Sequence, residues 1–386
     1  MRFGVDATGW NNRRGYGRFT RNAVTRLVET DEDAEYVLLV DRLTPPASLP
    51  DRASVKVLET RHAPAEAAQA GSSRSLADLL RATRASRRER FDALLFPSLH
   101  TWFAAPGAPA VVGVHDTIAD DMPHLALPHR SDRALWRVKQ RLAVRGARRI
   151  FTVSEAARSA VCARLGLSRD DVAVVHEAPD PVFAPRGPIE VSEARAEVGA
   201  PERYVLYAGG ISPHKNVIGL VDAYAAVLRR VPEAPSLVLV GALEGEQFAS
   251  AADEVRDRIA RLGLDGRVLL PGFVPDETLA RLYAGATVVV NPSLGEGFGL
   301  PAVEAAACGA PLLLSDLPAH RESMGDAAIF VPPGDSDALA EALTRMLADD
   351  ELRRSLARRG MAAVAARTWD TAAISLASLL REAAAR

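Results

Sequence analysis

Lysine is nearly missing from this chain. Of 47 basic side chains, only Lys56, Lys139 and Lys215 are lysines, and the other 44 are arginines. A coding bias toward arginine accounts for the totals, so the informative question is where a lysine persists. Cysteine is scarcer still. Cys162 and Cys308 cannot form a disulfide framework, which points to a reducing, cytoplasmic setting. No apolar run approaches the roughly 18–20 residues that a membrane span needs. Met1-Arg2-Phe3-Gly4-Val5-Asp6 leads straight into strand-like sequence, unlike a secretory signal. Neither charge sign is in excess: 47 basic and 49 acidic groups leave a formal net charge of −2. A broad basic field for nonspecific nucleic-acid binding is therefore absent.

What is present is a globular composition, 48% hydrophobic and 25% charged over 386 residues. That length suits about two domains. The two parts differ in balance, +5 for residues 1–185 and −7 for 186–386. Short apolar runs recur along the chain, separated by stretches of helical period. The first half has Phe3–Asp6, Tyr36–Val40, Ala93–Phe96, Ala110–Val114, Arg149–Val153 and Val172–His176. The second has Tyr204–Ala208, Leu237–Val240, Val268–Pro271, Thr287–Asn291, Pro311–Leu314 and Ala328–Val331. Runs apolar on both faces predict buried parallel strands joined by crossover helices. Two such series predict two doubly wound α/β domains. The proline-rich run from Pro179 to Pro188 reads as the linker. The expected division is 1–185, 186–367 and a helix over 368–386 free to pack back on the first domain.

Ligands of open parallel sheets bind beyond the carboxyl ends of the strands. The most informative stretch there is Asn291-Pro-Ser-Leu-Gly-Glu296-Gly-Phe-Gly-Leu-Pro-Ala-Val-Glu304. It reads as strand, glycine loop and helix, with Gly297 and Gly299 admitting a ligand to the backbone and the helix N-terminus favouring an anion. Glu296 and Glu304 would repel that anion unless they accept hydrogen bonds from sugar hydroxyls. A plain helix cap would explain Glu304 but not Glu296 with its two glycines. Gly209-Gly210-Ile-Ser-Pro-His214-Lys215-Asn216 likewise follows a strand, and Lys215 can neutralise a phosphate as a point charge. His115-Asp116 ends another strand. Gly15-Tyr16-Gly17-Arg18 with Asp41 invites a dinucleotide reading, but Thr20 replaces the third glycine, so a mobile glycine loop is preferred. No His, Cys and carboxylate spacing suggests a metal site.

These residues resemble retaining glycosyltransferase family 4. Glu296 to Glu304 matches its E-x7-E motif. The wider run to Arg321, the Gly-Gly-x-x-x-x-Lys-Asn around Lys215, Pro271-Gly272-Phe273-Val274 and Thr152-Val153-Ser154-Glu155 match it too. The resemblance implies a GT-B fold, two Rossmann-like domains facing across a cleft. The C-terminal one would hold a nucleotide-sugar donor and the N-terminal one a hydroxyl acceptor: a glycan, a natural product or a lipid-linked sugar. It further implies that Lys215 and Gly209-Gly210 meet the donor diphosphate and that Glu296 holds the transferred sugar. Gly297, Phe298, Gly299 and Leu300 would contact sugar and phosphate, Glu304 the ribose, and Phe273-Val274 the base. His115 would sit near the anomeric centre, Gly15 and Gly17 near the diphosphate, and Asp116 and Arg18 on the acceptor side. No cofactor or metal is implied. Gly209 stands where many members carry arginine, so His214 or Arg18 would share the phosphate charge. His176-Glu177-Ala178 replaces the family's usual Asn-Gly. A sugar-nucleotide epimerase, a glucan-type phosphorylase and a non-catalytic nucleotide-sugar-binding protein are the competing readings on this architecture.

One feature lies outside this scheme. Arg130, Arg133, Arg137, Lys139, Arg141, Arg145, Arg148 and Arg149 accompany Leu135, Trp136, Val138 and Leu142 on one helix. A solvated face stitched by its own salt bridges is the expected use. Docking on an anionic membrane is the alternative.

Overall fold

A computed structural model describes residues 1–12, 15–59, 76–127, 129–243 and 250–385. The chain divides into two units, Met1–Glu177 with Thr368–Arg386, and Ala178–Arg367.

The first unit is built on a parallel sheet of seven strands among the described residues. In chain order these are β1 (Arg2–Asp6), β2 (Glu35–Val40), β3 (Ser54–Val57), β4 (Ala93–Phe96), β5 (Ala110–Gly113), β6 (Ala147–Thr152) and β7 (Val172–Val174). They lie in the order β3-β2-β1-β4-β5-β6-β7. The order reverses at β1, where the chain turns from building one side of the sheet to building the other, and such a point opens a crevice at the strand ends. Leu94, Leu95, Val111, Val112 and Phe151 are fully buried, as a sheet covered on both faces requires.

Three sequence expectations change here. β3 was not anticipated. Its Ser-Val-Lys-Val pattern is exposed at all four positions because it forms the sheet edge, so it lacks the all-apolar signature of its neighbours. The expected mobile loop at Gly15-Tyr16-Gly17 is instead the first turn of the helix Gly15–Thr30. A Cβ at Gly17 would overlap the Asn12 carbonyl, so the glycine serves close packing of the preceding chain. The boundary also moves, from 185 to Glu177. Phe183, within the proline-rich run, is buried with its ring 6.0 Å from Tyr283, and Pro188 opens the helix Pro188–Val198. That run therefore belongs to the second unit.

The terminal helix Trp369–Ala384 belongs to the first unit. Phe19 lies 5.9 Å from Trp369, ring to ring. Arg26 Nε donates to Asp370 at 2.8 Å, and Arg381 to Asp31 at 2.6 Å.

Among the described residues the second unit carries a six-stranded parallel sheet in the order β10-β9-β8-β11-β12-β13. The strands are β8 (Tyr204–Ala208), β9 (Ser236–Val240), β10 (Val268–Gly272), β11 (Val288–Asn291), β12 (Leu312–Ser315) and β13 (Ala328–Val331). The switch point falls between β8 and β11, which the chain brings together from far apart in sequence. The helices Val217–Arg230 and Leu300–Ala307 follow these two strands. Lys215 and Glu296 lie in the connections between strand and helix. A single core runs through Val205, Tyr207, Leu220, Val221, Val288, Val290 and Leu313 and fixes both strand ends.

Candidate functional site

Beyond β8 the chain makes a short helical turn, Pro213–Lys215, stopped by Asn216 in the left-handed conformation, φ 54°. Beyond β11 it makes the glycine loop. Leu294 donates its backbone N–H to the His214 carbonyl at 2.8 Å, tying the two connections together. That bond brings residues 81 positions apart into contact: Lys215 Nζ stands 2.7 Å from Glu296 Oε1.

Glu296 is held asymmetrically. Oε1 also accepts from Ser293 Oγ at 2.8 Å and Asn291 Nδ2 at 3.4 Å. Oε2 accepts no hydrogen bond among the described residues. Burial opposes ionisation of this carboxyl. The Lys215 charge, the nearby His320, and the bonds from Lys215 and Ser293 outweigh it, bringing the pKa down to about 2. Glu296 is thus a fixed anion with one oxygen committed and one open. An ammonium has three N–H donors, so Lys215 keeps capacity for further acceptors.

Gly299 precedes the helix with φ +86°, a conformation that strains any residue bearing a Cβ. A Cβ there would also lie 2.7 Å from Cδ2 and 3.0 Å from Nε2 of His320. His320 is fully buried on the helix Pro318–Met324. Its Nδ1–H donates to the Ser315 carbonyl at 2.8 Å, and its Nε2 has no partner among the described residues. Burial lowers the His320 pKa, against the opposing pull of Glu296. Sequence reasoning missed His320, and only its place after β12, next to the glycine loop's strand, could have signalled it. Arg367 was missed as well; its guanidinium lies 5.5 Å from the centre of the Phe298 ring.

The structure brings the other donor-side candidates to the same sheet edge. Gly209 and Gly210 end β8, where the Tyr207 hydroxyl donates to the Gly210 carbonyl at 2.6 Å. Phe298 and Leu300 are buried, and Glu304 is buried in the helix that Gly299 opens. Val274 is buried, whereas Phe273 is exposed after β10. His214 is buried beside Lys215.

In the first unit His115 follows β5. Its Nε2–H donates to the Pro97 carbonyl at 2.7 Å, and the Phe19 ring meets it edge-on at 4.9 Å. Burial pushes its pKa down to about 4, so the ring is neutral at physiological pH with Nδ1 as an acceptor. Its acidic neighbour is Glu177, 4.0 Å away, rather than Asp116, which caps the Ile118 N–H at 2.9 Å. Arg18 lies on the helix Gly15–Thr30, half-buried. Asp41, the acid of the dinucleotide reading, is taken up by Leu43 N–H and Thr44 Oγ. No group of three His, Cys, Asp or Glu side chains among the described residues is arranged to hold a metal.

Two doubly wound parallel sheets, each with helices after its strands, define a GT-B architecture. Solved structures agree. Sucrose-phosphate synthase from Thermosynechococcus elongatus superposes with a TM-score of 0.77 at 19% identity, covering 99% of this chain and 98% of its own. Anabaena HepE, in complex with UDP and glucose, gives 0.75 at 21% identity over 98% and 99%. Residues 14–182 match the family model described as Glycosyltransferase Family 4, and 190–362 that of Glycosyl transferases group 1. The chain belongs to glycosyltransferase family 4. O-antigen chain mannosyltransferase B of Escherichia coli is 30% identical over 272 residues, 64% of this chain and 70% of that one. Other relatives are much longer, and the chain spans 28% of two of them.

Proposed function

We propose that this glycosyltransferase moves a sugar, with retention, from a nucleotide-sugar donor to a hydroxyl of a saccharide, natural product or lipid-linked sugar. The observation that carries this reading is Glu296, part-buried and ionised, with Oε1 saturated and Oε2 open beside a lysine. An open carboxylate oxygen in a part-buried site suits sugar hydroxyls, and the adjoining ammonium and helix N-terminus suit a diphosphate. HepE, whose fold this chain shares, is described with UDP and with glucose, which supports a donor of that class.

In this reading Lys215 and the backbone of Phe298–Leu300 stabilise charge developing on the leaving diphosphate. The bond from the anomeric carbon to the diphosphate oxygen breaks, and the acceptor oxygen bonds to that carbon on the same face. The acceptor's proton leaves with the departing diphosphate. This front-face route needs no carboxylate nucleophile, and no metal enters it. Glu304 holds the ribose, Phe273 and Val274 the base, and the first unit the acceptor.

Lys215→Ala and Glu296→Ala each remove a group that acts on developing charge, so turnover should fall by ~10²–10³ with the circular dichroism spectrum unchanged. Lys215→Arg should also lose activity, because the broader guanidinium replaces a point charge. Near-normal transfer by either alanine variant overturns the assignment. Dependence on free phosphate as co-substrate would indicate a phosphorylase instead.

A further inference from the structure

The basic helix of the first unit runs from Arg130 to Gly146 and turns most of its arginines to solvent. Only part of its basic row is engaged by side chains or carbonyls among the described residues. Arg133 donates to the Leu127 carbonyl and Lys139 to that of His100, while Arg149, just beyond the helix, pairs with Glu382. Arg130, Arg137, Arg141, Arg145 and Arg148 make no hydrogen bond or ion pair among the described residues.

The same surface exposes aliphatic side chains. Leu135 is 50% exposed, Val138 52% and Leu142 54%, while Gln140 and Ala143 on the opposite face are buried. At ~100° per residue the three aliphatics fall within an arc of about 60°. On the same geometry Arg130, Arg137, Arg141 and Arg145 line one adjoining flank within about 80°. An amphipathic helix normally turns its apolar stripe inward. This helix turns one apolar face to the core and a second outward, with a row of unneutralised guanidinium groups beside it.

We propose that this outer face docks on an anionic membrane leaflet, the aliphatic stripe entering the headgroup region and the arginines meeting lipid phosphates. Nucleic acid would satisfy the arginines but leave the stripe in water. An apolar protein surface would bury the stripe but strand the arginines. An anionic leaflet offers apolar interior and phosphate in one plane along the whole helix. The inference is independent of the chemistry proposed for Lys215 and Glu296.

The test is flotation of the full chain with 100-nm vesicles of phosphatidylcholine alone or with phosphatidylglycerol at 7:3. Binding is expected only to the anionic vesicles, at ~50 mM salt, and should be lost at ~500 mM as screening removes the attraction. Each arginine near such a surface is worth about fivefold in affinity, so Arg137→Glu/Arg141→Glu/Arg145→Glu should weaken binding at least a hundredfold. Leu135→Ser/Val138→Ser/Leu142→Ser should weaken it at least tenfold. Both variants alter exposed positions, so their circular dichroism and donor-nucleotide affinity should match the parent. Failure of the parent to float with anionic vesicles at low salt overturns the proposal. So does binding that either variant leaves unchanged. A parent dimer that the serine variant converts to monomer, with vesicle binding intact, would make the stripe a subunit interface and overturn it equally.

Discussion

Replacing Glu296 by Gln keeps the shape of the side chain and removes its charge. In the native chain the carboxyl lies at about 2, against an ordinary 4.5. That difference corresponds to ~3 kcal/mol favouring the ionised, folded form. Because the folded value is the depressed one, the contribution is complete above the unfolded value and declines as pH falls from about 4.5 toward 2. On the linkage relation about 2 of the ~3 kcal/mol is gone by pH 3. Glu296→Gln should therefore be less stable than the parent at pH 6, and the gap should narrow by about 2 kcal/mol at pH 3. Lys215→Met added to it should recover part of the loss at pH 6, since the amide variant leaves a half-enclosed ammonium without its anion. Tryptophan fluorescence is the wrong probe. Trp10, Trp102, Trp136 and Trp369 all belong to the first unit. Amide hydrogen exchange of the β8 and β11 peptides, measured across a urea series, reads the second unit directly. A stability gap of equal size at pH 6 and pH 3 would refute the placement of a part-buried, lysine-paired carboxylate.

Gly299→Ala should abolish donor binding in a thermal-shift titration, since it forces a Cβ onto His320 at a left-handed φ; retained binding would show that the loop tolerates a displaced ring. Gly17→Ala should destabilise the first unit by ~1–3 kcal/mol through overlap with the Asn12 carbonyl, read as an earlier tryptophan fluorescence transition in urea. Prolonged EDTA treatment and desalting should leave transfer within twofold of its starting rate, and loss restored by a divalent cation would overturn the metal-free scheme.

Most of the architecture was legible because parallel strands buried on both faces write themselves as uninterrupted apolar runs. Where that condition fails, the reading fails, as at β3, whose outer edge and alternating Ser-Val-Lys-Val leave no such run. Lys215 and Glu296 could be found because strand ends of one sheet converge, whatever their separation in sequence. His320 and Glu177 could not. His320 matters through a ring lying beneath another residue's Cα, and Glu177 approaches His115 only once β5 and β7 flank β6. Gly17 misled for a related reason. A glycine before a helix can make room for a ligand or for the chain's own carbonyl, and composition does not distinguish them. The arginine-rich helix presents the solvated face expected of it, but spacing along one helix does not reveal that Arg137, Arg141 and Arg145 meet no carboxylate among the described residues.

The helix Trp369–Ala384 has a consequence for how the chain comes into being. Its partners, Phe19, Arg26 and Asp31, lie more than 300 residues upstream. The second unit is continuous and can complete its core as soon as Arg367 has left the ribosome. The first unit, although synthesised earlier, must wait with the Phe19 side of its sheet uncovered until the final helix emerges. Of the two units, the one begun earlier is therefore completed later, and its nascent form is the one that more needs shielding from aggregation.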